Sequence, residues 1–380
     1  MKIGVITHWW CFENYGQILQ CYALQRYLKA RGHEPFVIRY NPFNQVGDRM
    51  TILRIVRKLV HPIEFFRSVL MRLMGSNKRA VDRRRKVESQ RRFEDFKKRY
   101  IIYSKGVYKS YSEIKDALDV DADVYVVGSD VVWKFVPLNN NGRVFFLDFG
   151  REKAKRVAYS PSFGSTKLDK KYKRFVSPLI QKLNSVSVRE LIGVGLCNEL
   201  GVNDAVCVLD PVFLVPREVW QQEFGIQNCR RGVFAYFLSV REGVLVDELK
   251  TLADGKDDLR VTTVYEDMNV PNALLSNPTV SEWVRCIGTS RAVVTNSFHG
   301  VSMAIILHTP FICFLKHGGA GMDSRVISIL ERLGLSSRIY NRANGSLKEQ
   351  MEQSIDWSKV DELLDQELQG SFTFLRSAGI

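Results

Sequence analysis

The protein has 380 residues, a length that favours two domains, and its 45% hydrophobic and 25% charged residues are typical of a folded chain. No stretch approaches the roughly 18 uninterrupted apolar residues of a membrane-spanning helix, and the first residues lack the pattern of a signal peptide. Seven scattered cysteines without a CxxC pair argue against structural zinc. We therefore expect a cytoplasmic protein in a reducing compartment.

Elements in the first half of the chain alternate between strand and helix. The stretch "KIGVIT" predicts a buried strand, residues 17–33 predict a helix that Gly32 closes, and "EPFVIRY" predicts the next strand. Four further strands are predicted from "DVYVVGSD", "RVAYSPSFG", "SVSVRE" and "AVCVLDP". This order is typical of a doubly wound parallel sheet, in which ligands gather outside the carboxyl ends of the strands.

A basic segment interrupts this alternation and accounts for much of the net charge of +14. Within residues 49–99, residues 51–75 place apolar side chains at helical spacing between lysines and arginines. Such a segment suits an anionic surface, whether nucleic acid, a phosphorylated substrate or the acidic lipid of a membrane interface. A solvated charged helix, or a helical pair packed on its own domain, has the same pattern, so the sequence leaves these interpretations open.

The second half of the chain repeats the alternation. Its strands are predicted from "GVFAYFLSV", "LRVTTVY", "AVVTNSFHG" and "TPFICFL", after a boundary stretch near residues 212–230. We place an N-terminal domain at 1–215, a C-terminal domain at 216–355, and a helix at 356–380 that breaks at a glycine and packs back on the first domain. The predicted fold class is α/β, with two Rossmann-like domains facing a cleft in a GT-B-like arrangement.

Two turns that follow predicted strands carry candidate binding residues. The first precedes a helix, where backbone amides and the positive end of the helix dipole favour anions, although a glycine needed only for the turn explains it equally well. The second ends in an aspartate that can accept a proton from an alcohol or cap a helix, and capping is the commoner role. The candidates in these turns are Asn14, Tyr15, Gly16, Gly128, Ser129 and Asp130.

Arg189 and His299 are the candidates for chemistry. Arg189 follows a predicted buried strand, where a guanidinium is costly unless it meets an anion, either a ligand or a neighbouring acid. His299 lies at a strand-to-helix junction between Ser297 and Gly300, and its side chain can act as acid or base near neutral pH. A glycine there permits a tight turn that aims the ring into the cleft. The same position also suits a structural histidine.

A further anion clamp is predicted on the loop after the next strand. Lys316, His317 and Arg325 fall there, in "FLKHGGAGMDSR". We find no cluster of His, Cys, Asp and Glu at metal-ligand spacing and therefore predict no metal.

Taken together, these stretches resemble the polysaccharide pyruvyl transferase family. The resemblance is carried, in chain order, by "KIGVIT…NYGQILQCYALQRYLKARGHEPFVIRYNP", "DVYVVGSDVVW", "AYSPSFG", "SVRE", "VLDPVFLV", "TNSFHGVSMAIILHTPFI" and "DSRVISILERLGL". It extends from Lys2 to about Leu335. Each block is weak alone, and their order along the chain makes them specific.

The resemblance implies transfer of pyruvate from phosphoenolpyruvate to a sugar of a cell-surface polysaccharide precursor, forming a ketal and releasing phosphate. It implies a donor-binding role for Arg189 and a catalytic role for His299, with the donor on the C-terminal domain and the acceptor and membrane on the side of residues 49–99. No cofactor is expected besides the donor substrate. The expected partners are phosphoenolpyruvate, a sugar acceptor on a polyprenyl lipid carrier and an anionic surface at the inner face of the cytoplasmic membrane, and not nucleic acid.

Two other functions fit parts of the sequence. The same fold suits a GT-B glycosyltransferase that uses a nucleotide sugar, and stabilisation by phosphoenolpyruvate rather than by a sugar nucleotide separates the two. A basic binding module without catalysis would leave Arg189 and His299 dispensable.

Overall fold

Two parallel sheets organise the protein, and helices connect their strands. The structure, a computed structural model, describes residues 1–11, 13–45, 87, 89–227, 229–238, 246–253, 258–264, 274–315 and 321–380. The first sheet has seven strands in the order β3-β2-β1-β4-β5-β6-β7, the doubly wound order of a Rossmann fold. Its strands are β1 (Lys2–Ile6), β2 (Glu34–Tyr40), β3 (Tyr103–Tyr108), β4 (Val124–Val127), β5 (Lys155–Ala158), β6 (Ser185–Val188) and β7 (Val206–Cys207).

The second sheet has four parallel strands in the order β11-β10-β8-β9. These strands are β8 (Val233–Phe237), β9 (Leu259–Thr263), β10 (Ala292–Thr295) and β11 (Phe311–Cys313). The prediction of an α/β fold with two Rossmann-like units is confirmed. All ten strands predicted from the sequence are present, whereas β3 was missed, because its sequence "YSKGVY" is largely polar and half exposed.

Twelve α-helices surround the two sheets in the described part of the chain. They are α1 (Tyr15–Ala30), α2 (Phe93–Tyr100), α3 (Tyr111–Ile114), α4 (Lys170–Ile180), α5 (Leu191–Glu199), α6 (Arg217–Phe224), α7 (Val246–Leu252), α8 (Val280–Thr289), α9 (Phe298–Ile306), α10 (Ser324–Arg332), α11 (Leu347–Glu352) and α12 (Trp357–Ser377). None of these helices combines the length and the apolar character needed to cross a bilayer.

Burial explains why the strands were recognisable. All four residues of β4 and of β10 are buried, because helices cover both faces of a parallel sheet and its strands become continuous apolar runs. Helix α1 lies between the two sheets, and Tyr15, Ile18 and Leu19 of its first turns are completely buried. This helix therefore belongs to the core that joins the two units.

The C-terminal helix α12 contacts the first unit. Phe372 stacks on Tyr27 with 5.9 Å between the ring centroids, and Ser371 Oγ accepts a 3.0 Å hydrogen bond from the backbone of Leu209. The expected break in this helix is wrong, since α12 continues through Gly370. A glycine inside a helix costs only about 1 kcal/mol relative to alanine, which the packing of the neighbouring turns outweighs.

Most of the basic segment 49–99 lies outside the described residues, namely 49–86 and 88. Its described end forms α2, which buries Phe93 and Phe96 in the core and pairs the buried Lys97 with Glu94 at 2.9 Å. This part of the segment is an ordinary packed amphipathic helix.

Candidate active site

The carboxyl ends of both sheets meet at one cluster of titratable side chains. His8 follows β1, Asp130 follows β4, Arg189 follows β6 and Asp210 follows β7, while His299 follows β10 of the second sheet. Parallel strands end at the same edge of a sheet, so residues far apart in sequence converge there. The strand-end rule therefore pointed to Asp130, Arg189 and His299, and the structure brings them together.

Arg189 occupies the centre of the cluster. Its Nη1 donates a 2.8 Å hydrogen bond to Asp210 Oδ2, its Nη2 lies 3.6 Å from Asp130 Oδ1, and its guanidinium lies 4.6 Å from the centroid of the Phe298 ring. Burial lowers the pKa of Arg189, but the charges of Asp210 and Asp130 raise it more strongly. Nε and Nη2, which together form one edge of the guanidinium fork, are buried without a hydrogen-bond partner among the described residues.

Asp130 is a buried, ionised carboxylate rather than a helix cap. Its backbone has φ +67° and no described helix begins after it. Oδ2 lies 3.5 Å from His8 Nδ1, and Oδ1 lies 3.9 Å from Arg325 Nη1. Burial raises the pKa of Asp130, but the neighbouring His8 ring and the Arg189 charge outweigh burial and hold this pKa well below its usual value. The expectation that capping is its role is therefore wrong.

Asp210 connects Arg189 with His299. Besides the hydrogen bond from Arg189, its Oδ2 accepts a 2.9 Å hydrogen bond from Ser129 Oγ and lies 3.5 Å from His299 Nε2, while Oδ1 accepts from the backbone of Val212. Burial raises the pKa of Asp210, but the charges of His299 and then Arg189 prevail and lower it to about 2. Asp210 is thus an anion throughout the neutral range.

The Gly128–Asp130 turn shapes this arrangement without presenting a free binding surface. Gly128 has φ +128°, and a Cβ there would lie 2.0 Å from the Tyr159 carbonyl oxygen, so both conformation and space require glycine. Ser129 is fully buried, and its backbone donates to Gln20 Oε1 at 3.0 Å. The described contacts of Ser129 are therefore internal, to Gln20, to the Ser160 carbonyl and to Asp210.

His299 enters the cluster from the second sheet. Ser297 caps α9 by accepting a hydrogen bond from the Gly300 backbone at 3.3 Å, which places His299 in the first turn of that helix. The ring is buried, and its Nε2 has no hydrogen-bond partner among the described residues. Gly300 lies within the helix and does not form the tight turn that the sequence suggested. Glycine is needed there because a Cβ would lie 2.5 Å from Thr295 Oγ1.

Gly16 and His299 are in direct contact across the two units. A Cβ on Gly16 would lie 2.1 Å from Nδ1 and 2.3 Å from Cγ of the His299 ring. Gly16 therefore makes room for the imidazole, so its described contact is with His299 rather than with a ligand. The sequence pointed to both residues but not to their contact.

Asn14 and Tyr15 have structural roles in the described contacts. Asn14 is the N-cap of α1 and accepts a 3.1 Å hydrogen bond from the Gly16 backbone. Tyr15 is completely buried, donates to the Pro278 carbonyl at 2.6 Å and stacks on Trp283 with 5.2 Å between centroids. The suggestion that Tyr15 binds substrate is not supported, because its side chain is enclosed by the second unit.

Of the residues predicted to form an anion clamp, Arg325 is described, and it lies in a helix rather than on the loop that the sequence suggested. Arg325, in the first turn of α10, is buried near Asp130, and burial, followed by the charge of Arg189, lowers the pKa of Arg325 to about 10. Lys316 and His317 lie outside the described residues. In the described part of the chain, no three His, Cys, Asp or Glu side chains are arranged to hold a metal ion.

Sequence reasoning missed three members of the cluster, His8, Asp210 and Glu190. Each follows a predicted strand, so the rule that found Arg189 could have found them. Glu190 accepts a 2.6 Å hydrogen bond from Ser162 Oγ through Oε1, and its Oε2 is buried without a partner among the described residues. Burial raises the pKa of Glu190 above its usual value, in spite of the Arg189 charge.

A cleft of about 1080 Å³ lies elsewhere in the second unit. Its lining includes Gly232 and Asp258, which directly precede β8 and β9, together with Arg231, Arg260 and Arg285. It therefore lies at the amino ends of the strands, away from His299, and it contains none of the cluster residues.

Comparison with known protein families shows which family the chain belongs to. The family model described as polysaccharide pyruvyl transferase matches residues 14–316, which contain every member of the cluster except His8 and Arg325. The chain belongs to the polysaccharide pyruvyl transferase family. No curated protein sequence matches the chain significantly.

The solved structures that match this chain have low sequence identity to it. The UDP-GlcNAc 2-epimerase from Neisseria meningitidis bound to UDP-GlcNAc is 11% identical, with 100% of this chain and 94% of that chain covered and a TM-score of 0.45. The glycosyltransferase SnogD from Streptomyces nogalater is 14% identical, with 100% and 98% covered and a TM-score of 0.40.

Proposed function

We propose that the protein transfers pyruvate from phosphoenolpyruvate to a sugar of a cell-surface polysaccharide precursor, forming a ketal and releasing phosphate. The observation that carries this proposal is a set of five buried polar atoms on side chains of the cluster that have no hydrogen-bond partner among the described residues. Buried polar groups are normally satisfied, so such a set indicates a place for a polar ligand. The atoms are Asp130 Oδ2, Arg189 Nε, Arg189 Nη2, Glu190 Oε2 and His299 Nε2.

Arg189 anchors the donor in this proposal. The donor would then bind on the first unit, with Arg325 of the second unit beside it, rather than on the C-terminal domain alone as the sequence suggested. The Nε and Nη2 edge of Arg189 suits bidentate binding of a carboxylate or a phosphate, while Asp210 holds the opposite nitrogen. Arg325 adds a second cation, because its Nη1 lies 3.9 Å from Asp130 Oδ1. Phosphoenolpyruvate carries two anionic groups, and this pair of arginines matches them.

His299 supplies the proton in this proposal. A proton moves from Nε2 to the methylene carbon of phosphoenolpyruvate, and one sugar hydroxyl adds to the cationic C2 and loses its proton. The bond from C2 to the phosphate oxygen then breaks, phosphate leaves with the bonding electrons, and a second hydroxyl of the same sugar adds to C2 and closes the ketal. The proton of the first hydroxyl returns to His299 Nε2, and the proton of the second goes to the departing phosphate. The sum is one donor and one diol converted into one ketal and one phosphate, which requires no redox cofactor.

Asp130 does not act as the proton acceptor that its place after a strand allows. Its low pKa makes the carboxylate both a poor acid and a weak base near neutral pH. We assign it instead to charge balance, since it lies between the cations of Arg189 and Arg325 and beside the His8 ring. Its described contacts hold the donor-binding arginines in place.

We further propose a lipid-linked acceptor and a peripheral position at the inner face of the cytoplasmic membrane. The net charge of +14 supports it, as does a second cleft of about 550 Å³ whose lining includes Arg26, Lys29, Lys98 and Arg99. Exposed charges are screened within about 10 Å at 0.1 M salt, so binding to phosphatidylglycerol vesicles should weaken steeply with salt. Binding that does not depend on salt, or no binding to the vesicles, would show that this surface is an ordinary solvated face.

The deciding experiment incubates the protein with phosphoenolpyruvate and galactosyl, mannosyl or N-acetylmannosaminyl acceptors. A mass gain on one acceptor with release of one phosphate per transfer is the expected result. Thermal stabilisation by phosphoenolpyruvate is measured in parallel with UDP-sugars. Stabilisation by a UDP-sugar alone, with no phosphate release from phosphoenolpyruvate, would favour a glycosyltransferase instead.

A further inference from the structure

We propose that Asp210 is a positioning residue that couples the donor-binding Arg189 to the proton-transferring His299. This inference rests on the proposed function and adds a residue to it. One carboxylate oxygen, Asp210 Oδ2, lies 2.8 Å from Arg189 Nη1 and 3.5 Å from His299 Nε2. A single fixed charge is therefore shared by the group that binds the donor and the group that protonates it.

Two further contacts hold the carboxylate in place. Ser129 Oγ donates to Oδ2, and the backbone of Val212 donates to Oδ1. These bonds immobilise the carboxylate, which must itself be fixed in order to position its neighbours. The side chain is completely enclosed by the protein. A buried carboxylate with its hydrogen bonds made on both oxygens is a rigid reference point for its neighbours.

The orientation of His299 explains why this contact matters. The Nδ1 edge of the ring lies against Gly16, and Nε2 is the nitrogen that lies near Asp210. The Asp210 carboxylate, 3.5 Å from Nε2, lies where it can orient an N–H group on that nitrogen. Asp210 thus keeps the transferable proton on the side of the ring where the donor binds.

Asp130 offers a matched comparison. It is also buried, ionised and close to Arg189, but its described ion pairs are with His8, Arg189 and Arg325 rather than with His299. The charges of Asp210 and of Asp130 both interact with His299. Of the two aspartates, Asp210 alone lies within 4 Å of the ring in the described structure.

A double-mutant cycle between Asp210→Asn and His299→Gln tests the coupling. In the wild-type background, Asp210→Asn should lower kcat by roughly 10- to 1000-fold, less than the factor of about 10⁴ typical of an orienting aspartate in direct hydrogen-bond contact. In the His299→Gln background, it should lower kcat by less than about threefold further, because its partner is already absent. Asp130→Asn should weaken phosphoenolpyruvate binding by the same factor in both backgrounds.

A second readout does not need turnover. Imidazole nitrogen signals of the ligand-free protein are recorded by NMR, and those of His299 are assigned by their loss in His299→Gln. Asp210→Asn should displace the His299 Nε2 signal, and Asp130→Asn should displace it much less. Ser129→Ala, which removes one hydrogen bond to Oδ2 and leaves the charge, provides a milder variant if Asp210→Asn does not fold.

The outcomes separate the two proposals. Full additivity in the cycle, or unchanged His299 signals in both Asp210→Asn and Ser129→Ala, would overturn the role of Asp210. Absence of phosphoenolpyruvate turnover in the wild-type protein would overturn the proposed function, and the NMR comparison would still decide whether Asp210 controls the ring.

Discussion

The two sheets contribute different chemistry to the site where their strands end. The first sheet supplies His8, Asp130, Arg189 and Asp210, whose charges are paired with one another in a buried network. The second sheet supplies His299, whose Nε2 lies 3.5 Å from Asp210 Oδ2 but makes no hydrogen bond to the described residues. One side of the site is therefore held by internal ion pairs, and the other side presents a group able to act on a ligand. The comparison suggests that binding and proton transfer are separable by mutation.

The largest effect is expected on the second-sheet side. His299→Gln keeps the size and hydrogen bonding of the side chain but cannot transfer a proton, so kcat should fall by a factor of about 100 to 10,000. Donor affinity and melting temperature should hardly change, since the paired charges of the first sheet remain. Kinetics and calorimetry check this, with His33→Gln, a histidine at the end of α1 remote from the site, as the control. Near-normal turnover would show that the ring is structural.

Gly16→Ala tests the contact between the two sides. The added Cβ would lie 2.1 Å from Nδ1, so the His299 ring must move, and kcat should fall by roughly 10- to 100-fold because small misplacements of a reacting group are costly. Gly195→Ala is the matched control, since Gly195 is a helical glycine whose added Cβ would have no neighbouring atom within 4 Å, and this variant should keep wild-type turnover. Equal turnover in the two variants would contradict the positioning role of Gly16.

Arg189→Lys tests the first-sheet side. Lysine keeps the charge but loses the planar fork, so the donor should bind more weakly by about 1–3 kcal/mol, as measured by calorimetry with phosphoenolpyruvate. Arg156→Lys serves as the control, because the Arg156 guanidinium donates to five backbone carbonyls and is structural. That variant should lose stability and keep its donor affinity. Unchanged affinity in Arg189→Lys would remove the arginine from the donor site.

The smallest effect is expected on the pH dependence of stability. It concerns two buried carboxyl groups with opposite pKa changes, Glu190 and Asp210. Burial raises the pKa of Glu190, so its contribution to stability is present below the pKa of the unfolded chain and is lost as pH rises through the folded value. Glu190→Gln should therefore become more stable than wild type as pH rises from about 4 to 8, by about 1.4 kcal/mol per unit of pKa change.

Asp210→Asn should show the opposite pH dependence. The pKa of Asp210 is lowered to about 2, so its contribution is present above the unfolded value and is lost as pH falls toward 2. Denaturant unfolding between pH 2 and 8 measures both variants. If the stability of the two variants changed with pH in the same direction relative to wild type, the two carboxyl groups would not have opposite pKa changes.

Strands and their ends could be predicted because their signals are local. Continuous apolar runs such as those of β4 and β10 mark strands buried on both faces, and the polar residue that follows each run marks the edge where ligands bind. This reasoning pointed to Asp130, Arg189 and His299 one by one, and the structure brings them together. The reasoning failed for β3, whose half-exposed polar sequence lacks the signal, and for α12, where packing overrides the break that a glycine predicts.

By itself, the sequence determined the two parallel α/β units, the family, and the turns in which the site would be found, since strand periodicity and strand-end residues are properties of short segments. Only the tertiary structure decided which side chains meet. The pairing of Arg189 with Asp210 depends on the order of β6 and β7 in the sheet, and the packing of His299 on Gly16 depends on how the second unit contacts α1. Such contacts join residues that are remote along the chain, and no local pattern records them.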